Sequence, residues 1–290
     1  MIALREQAPG KVNLCLYLGP ARTTREGGRH ELVTVFQPVT LADEVSLTPG
    51  PFGSTTDEVV CPGVEGDNLA AAALRAFRAR TGWAGGPVRI TIDKRIPVAA
   101  GMAGGSADAG AALRLAARAA GVDDDALLLD IAAGLGADVP AQVRPGRMLA
   151  TGAGERLAPL APPRPFGVAI LPSHERLSTA DVFREADRLG LPRDAAGLAE
   201  RLAAVRAAGN DLPGELLVND LQPAALSLCP AIDDALVALR AAGARHVLVC
   251  GSGPTVAGLF DDPTGARAAV AMLADRDPRP VAVTPWDARA

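Results

Sequence analysis

Between residues 97 and 109 the chain reads Pro97-Val98-Ala99-Ala100-Gly101-Met102-Ala103-Gly104-Gly105-Ser106-Ala107-Asp108-Ala109, a run of small residues joining a β-branched segment to an Ala-rich one. Glycine lets a chain turn its N–H groups inward with no side chain in the way, and a helix that follows adds its positive N-terminal end. Such a loop can cradle phosphate, with Ser106 capping the helix and within reach of a phosphate or Mg²⁺. It is not a Walker loop, since no Gly-Lys-Ser/Thr closes it, and it lacks Rossmann glycine spacing. The same residues would serve equally well as a tight turn closed by a serine N-cap.

A second signal lies in the basic residues. Of 29 Lys plus Arg only Lys11 and Lys94 are lysines, so 27 are arginines. Arginine supplies the general surface charge, and a position kept as lysine points to a compact ammonium in place of a planar fork. The net charge of −4 excludes the basic footprint needed to neutralise a nucleic-acid backbone. A small-molecule partner is expected. The four cysteines, Cys15, Cys61, Cys229 and Cys250, are widely spaced with neither metal-ligand pairs nor a disulfide framework, which fits a reducing cytoplasm. The residues from Met1 to Glu6 show no export signal, and the apolar runs are interrupted by Gly, Pro or charge, so no membrane span is expected.

The elements that must position these residues alternate. Val12 to Leu18, Glu31 to Val39, Glu44 to Thr48 and Val88 to Ile92 read as strands, with turns between them. Asn68 to Arg80 reads as a helix with Leu69, Ala73, Leu74 and Phe77 on one face, and a second helix runs from Ser106 to Ala120, ending at Gly121. Composition turns Pro-rich between Leu157 and Pro165, the best linker. The expected domains are therefore 1–160 and 161–290. Beyond the linker come a strand at Gly167 to Leu171, helices at Ala180 to Leu189, Ala195 to Ala208 and Ala231 to Ala242, and strands Val247 to Cys250 and Thr255 to Phe260 flanking a Gly-Ser-Gly-Pro turn.

Three ordered segments carry a family resemblance. Ala8-Pro9-Gly10-Lys11-Val12-Asn13-Leu14, the loop from Pro97 to Ala107, and Cys250-Gly251-Ser252-Gly253-Pro254-Thr255 are similar to the three motifs of the GHMP kinases, the superfamily of galactokinase, homoserine kinase and mevalonate kinase. The resemblance implies a two-domain α/β fold of α+β type, with the active site in the cleft between domains and ATP as co-substrate. Further segments resemble the branch that phosphorylates the 2-hydroxyl of a cytidine-diphosphate-linked methylerythritol in the non-mevalonate isoprenoid pathway. They are His30-Glu31 before Thr34-Val35-Phe36-Gln37, Asp67-Asn68-Leu69, Ile92 to Pro97, Gly136-Ala137-Asp138-Val139-Pro140 and Asn219-Asp220-Leu221. A kinase for homoserine or a mevalonate-type acid, or a GHMP-fold sensor without turnover, are the alternatives.

Residue roles follow from the resemblance. Asp138 is the matched base for the acceptor hydroxyl, and otherwise a turn or helix cap before Pro140. Lys11 would keep that carboxylate ionised and stabilise charge on the reacting oxygens. The phosphates fall to Pro97, Val98, Ala99, Ala100, Gly101, Met102, Ala103, Gly104, Gly105, Ser106 and Ala107, with Asn68 and Lys94 near the nucleotide and Ser106 or Asp108 toward Mg²⁺. Asn13, Arg29, His30 and Thr179 match substrate-side positions, His30 toward the cytosine unless it is a structural histidine. His174 and His246 receive no role. Two departures stand out. Ala99 and Ala103 replace common glycines, and alanine resists positive φ. Arg29 stands where the family usually has the tyrosine expected to stack on cytosine.

Overall fold

The computed structural model describes residues 3–24, 27–64 and 66–287. Helices and sheets are mixed, and the chain gathers into two compact units that are not consecutive in sequence. One takes in residues up to Gly10, Leu41–Val98 and Ala103–Pro145; the other takes in Lys11–Thr40, Ala99–Met102 and everything from Gly146. Strands β1 (Leu4–Thr24) and β2 (Gly27–Pro49) pair with each other, and each contributes residues to both units. The two strands read separately at 31–39 and 44–48 are thus one: Leu41-Ala42-Asp43 between them holds neither glycine nor proline, and the ladder continues.

In the first unit β3 (Glu58–Val60) runs parallel to β4 (Val88–Asp93), which pairs antiparallel with Glu44–Pro49 of β2. Val88, Ile90 and Ile92 are buried and alternate with more exposed Arg89, Thr91 and Asp93, the period-two pattern of a strand with one covered face. They pack in one core with Val45 and Leu47 of β2 and with four helices, α1 (Leu69–Thr81), α2 (Gly104–Ala120), α3 (Asp125–Ala133) and α4 (Val139–Val143). Helix α1 is capped by Asn68, whose Oδ1 accepts the Ala70 N–H at 2.8 Å, and it buries Ala70, Ala73, Leu74 and Phe77. Leu69, expected on that face, stays exposed, and Ala70 beside it is buried instead. Helix α2 is buried along most of its length and is built from small residues. A Cβ on Gly110 would stand 2.6 Å from the Gln142 carbonyl carbon, so α2 and α4 touch backbone to backbone.

In the second unit Leu32–Phe36 of β2 pairs with β5 (Met148–Gly152), and β5 with β6 (Arg156–Pro159). The Pro-rich stretch expected as the linker opens as an edge strand, where a missing N–H is tolerated, and the last continuous segment of the second unit starts at Gly146. A four-stranded sheet follows, built from β7 (Gly167–Leu171), β8 (His246–Val249), β9 (Val256–Phe260) and β10 (Val281–Val283) in the order β10-β7-β9-β8. Helices α5 (Thr179–Arg188), α6 (Ala195–Ala208), α7 (Gln222–Leu228), α8 (Ile232–Ala241) and α9 (Pro263–Met272) complete it. Central β7 and β9 are buried at every residue, as apolar strands covered on both faces must be.

Gly110→Ala drives a methyl group into a main-chain carbonyl that cannot yield without parting α2 from α4. A loss of about 1–3 kcal/mol is expected in urea unfolding. Gly121→Ala, past the end of α2 with nothing within 4 Å of the new carbon, should cost only the strain of its positive φ.

Candidate active site

The second unit presents a polar relay that starts at Lys11. This ammonium is 6% exposed and donates to Asn13 Oδ1 at 2.8 Å and to the Gly101 carbonyl at 3.4 Å, with the Phe36 ring centroid 5.0 Å away. Asn13 Nδ2 donates to Thr34 Oγ1 at 2.7 Å, and Thr34 donates to the Cys15 carbonyl at 2.6 Å. Residues 11, 13 and 15 lie on one face of β1 because side chains alternate along a strand. The amide orientation of Asn13 is therefore fixed, with its oxygen toward the ammonium.

The glycine-rich turn after β8 closes round this relay. A Cβ on Gly251 would lie 3.0 Å from the Gly101 carbonyl oxygen, 3.5 Å from Asn13 Oδ1 and 3.6 Å from Lys11 Nζ. A Cβ on Gly101 would overlap the Cys250 carbonyl, whose carbon is 2.9 Å from it. Both glycines have positive φ, so space and conformation demand the same residue. Asn219 locks the turn: its Nδ2 donates to Val249 O and Gly251 O, both at 2.8 Å, while its Oδ1 accepts the Leu221 N–H. Burial pushes the Cys15 and Cys250 thiols up to about 12, so neither supplies a thiolate at neutral pH.

The first unit holds the other lysine. Lys94 Nζ donates to Asp43 Oδ2 at 2.5 Å and to Asp108 Oδ2 at 2.9 Å, and Asp43 Oδ1 accepts the Arg95 and Ile96 N–H groups at 2.6 and 2.8 Å. Asp43 is fully buried and Asp108 is 3% exposed. Two carboxylates share one ammonium here. Burial pushes the Asp108 carboxyl up to about 7, outweighing the pull of Lys94, and the nearby Asp43 charge adds to the rise. Burial draws Lys94 downward, but Asp108 and Asp43 together carry it above its ordinary value.

Along the loop, Ala99 and Ala103 both take φ of 57°, so the left-handed turns of a glycine loop are kept despite alanine. Each costs roughly 1–2 kcal/mol of backbone strain. Helix α2 starts at Gly104, two residues earlier than expected, with Ala103 at the N-cap and no side-chain cap. Ser106 therefore sits inside the first turn and is not the cap. The N–H groups of Gly104, Gly105 and Ser106 have no partner within the helix, the arrangement that suits an anion. Gly104 has little room, since a Cβ there would lie 3.1 Å from Ile96 Cγ2 and 3.2 Å from Lys94 Nζ.

Asp138 occupies the N-cap of α4 but makes no capping hydrogen bond, so its carboxylate is not used as the cap that Pro140 suggested. His30 is held at both ring nitrogens: Nδ1 donates to the Gly19 carbonyl at 2.9 Å and Nε2 faces the Asp187 carboxylate at 3.1 Å. Its ring lies 5.6 Å from that of Phe183, tilted by 33°. Hydrogen bonds from Nε2 of this ring to a base would have to displace Asp187. Arg29 is exposed. Thr179, the first residue of α5, is hydrogen-bonded through its hydroxyl to Ser252 at 3.0 Å, which ties α5 to the glycine-rich turn.

Gly101→Ala combines a positive φ of 72° with a main-chain overlap, and should cost about 2–5 kcal/mol in thermal or urea unfolding. Gly190→Ala, with φ of 67° and open space, should lose only about 1 kcal/mol. A second expectation concerns pH. The folded pKa of Asp108 lies above its ordinary value of 3.8, so the folded state binds more protons, and stability falls as pH rises from about 4 through 7. Asp108→Asn removes that slope. Urea melts of the nucleotide-free protein between pH 5 and 8 should show a flatter profile than the parent, and an unchanged profile would place the pH dependence elsewhere.

Comparison with known proteins agrees over most of the chain. Residues 68–146 match the GHMP kinases N terminal domain and residues 202–278 the GHMP kinases C terminal domain. A 4-diphosphocytidyl-2-C-methyl-D-erythritol kinase from Streptomyces coelicolor is 44% identical, covering 92% of this chain and 91% of its own. One of the same name from Corynebacterium efficiens is 41% identical, covering 93% and 89%. A crystal structure of 4-(cytidine 5'-diphospho)-2C-methyl-D-erythritol kinase superposes with a TM-score of 0.77 at 32% identity, over 98% of this chain and all of that one. Homoserine kinase from Cytophaga hutchinsonii shares the fold, with a TM-score of 0.74 at 18% identity over 98% and 94%. The chain is an ATP-dependent small-molecule kinase that belongs to the GHMP kinases and, within them, to the 4-diphosphocytidyl-2-C-methyl-D-erythritol kinase family.

Proposed function

We propose that this chain transfers the γ-phosphoryl group of ATP to the 2-hydroxyl of 4-diphosphocytidyl-2-C-methyl-D-erythritol, a cytoplasmic step of the non-mevalonate route to isoprenoid precursors. The observation that carries this reading is the match to relatives of that name over more than nine tenths of this chain. Among the described residues no helix is long and apolar enough to cross a membrane.

An alcohol is a poor nucleophile at neutral pH, so its proton must leave as the bond to phosphorus forms. Asp138 takes that proton, the hydroxyl oxygen attacks the γ-phosphorus, and ADP departs. Asp138 stands at the N-cap position of α4, whose residues Val139–Val143 are all buried. Lys11 stabilises charge on the reacting oxygens, and Asn13 with the Gly101 carbonyl aims its ammonium. The phosphates lie along residues 97–107, met by the first amides of α2, with Asn68 and Lys94 on the nucleotide side.

Among the described residues no group of three or more His, Cys, Asp or Glu converges as a metal cage, which fits an ion that enters on ATP and keeps phosphate and water ligands. Asp108, whose buried Oδ1 has no hydrogen-bond partner, and Ser106 in the first turn of α2 are the residues that would hold it. When bound, Mg²⁺ neutralises charge on the transferring phosphoryl group. At the other end of the substrate, the Arg29 guanidinium stacks on the cytosine in place of the usual tyrosine, Thr179 lies on the substrate side, and His30 orients the Phe183 ring.

An ATP-consumption panel tests the substrate. The cytidyl compound should be turned over in preference to homoserine and mevalonate, and the reverse order would sink the assignment. Asp138→Asn should lower kcat by roughly 10²- to 10⁴-fold with ATP affinity little changed. Near-normal turnover would remove Asp138 as the base.

A further inference from the structure

On the face of β1 opposite the Lys11 relay, a cavity of about 420 Å³ opens within the second unit. Leu14 lines it, next in sequence to Asn13 but pointing the other way, together with Phe166, Leu212, Leu259 and other apolar side chains. Two of the charges at its edge are already neutralised, since Arg164 pairs with Asp211 at 3.0 Å and Arg245 with Asp261 at 2.6 Å. A third is not. Arg147 lines the same cavity, is 6% exposed, and donates one guanidinium N–H to the Asn210 carbonyl, while its buried Nε has no hydrogen-bond partner and, among the described residues, no carboxylate lies in ion-pair contact with it.

A guanidinium stays charged in a protein, and a charge buried so deeply is costly unless an anion lies against it. Burial pushes the Arg147 guanidinium below its ordinary value, and the field of Asp211 offsets only part of this. We propose that this cavity binds a small amphiphilic anion, with one phosphate or carboxylate group against Arg147 and a short apolar body along the Leu14, Phe166, Leu212 and Leu259 walls. The volume lies in the range of small-molecule sites, and apolar walls with a few polar groups are their usual composition; here the Arg164–Asp211 and Arg245–Asp261 pairs offset each other and Arg147 is the remaining cation. None of the lining residues belongs to the phosphate loop or to the residues assigned to catalysis.

Calorimetric titration of the full chain, with the nucleotide site saturated by a non-hydrolysable ATP analogue, tests this. Hexyl phosphate and hexanoate are the probes, with inorganic phosphate and 1-hexanol as controls that carry only one half of the chemistry. Saturable binding of at least one amphiphile is expected, tighter than either control, and the better of the two identifies the anion. Arg147→Met should weaken it about 10- to 100-fold, as the loss of a charge-assisted contact does. If that variant does not fold, Leu212→Trp, which fills the cavity from an irregular segment and leaves the charge in place, decides the matter by abolishing binding. The proposal is overturned if neither amphiphile binds, if the ATP analogue displaces the bound probe, or if a folded Arg147→Met or Leu212→Trp variant keeps the parental affinity.

Discussion

Much of the second unit's site depends on one close approach of backbone to backbone. The carbonyl of Cys250 occupies the space that any side chain on residue 101 would need, and the carbonyl of Gly101 in turn limits residue 251. Only glycine satisfies both sites, because each also has positive φ. From that contact the rest follows: the segment 99–102 is seated on the turn after β8, the Gly101 carbonyl is brought to the Lys11 ammonium, and Asn13 Oδ1 accepts from the same ammonium. Asn219 then serves as the fastening, bridging the two carbonyls that flank Cys250.

Periodicity and punctuation made the regular elements legible. Helix α6 begins and ends where the sequence places it, and α2 ends at Gly121 as a left-handed cap should. The loop motif was visible because small residues between a strand and a helix have few uses. What could not be seen were partners far along the chain. Asp43 is 51 residues from Lys94, and Asn219 is 32 from Gly251; nothing local marks either as the group that fixes a site. Asn219 appeared only as part of a family motif, and Phe183 not at all. The early start of α2 has a physical cause as well: serine is the natural cap by residue type, but Ala103 in the left-handed region already turns the chain into the helix.

The resemblance and the geometry divide the work between them. Family motifs name Lys11 and Asp138, whereas the hydrogen bonds explain how Lys11 is aimed and why the Asp138 carboxylate is not needed by its own helix. His30 goes the other way: the motif pointed to base recognition, and the ring is held from both sides by protein. The contrast follows from chemistry, since an imidazole offers only two nitrogens and both of His30's face acceptors already.

The two lysines share a feature with a practical consequence. Both are enclosed, Lys11 at 6% exposure and Lys94 with 14% of its side chain accessible, and each is engaged as a donor, whereas the other 27 basic side chains are arginines. Acylating reagents and amine-directed cross-linkers attack an unprotonated, accessible amine, and a guanidinium does not answer them. The outer surface therefore offers no lysine handle for acetylation, tethering or fluorescent labelling, and any lysine modification that does occur must be struck at one of the two ammonium groups on which the sites are built.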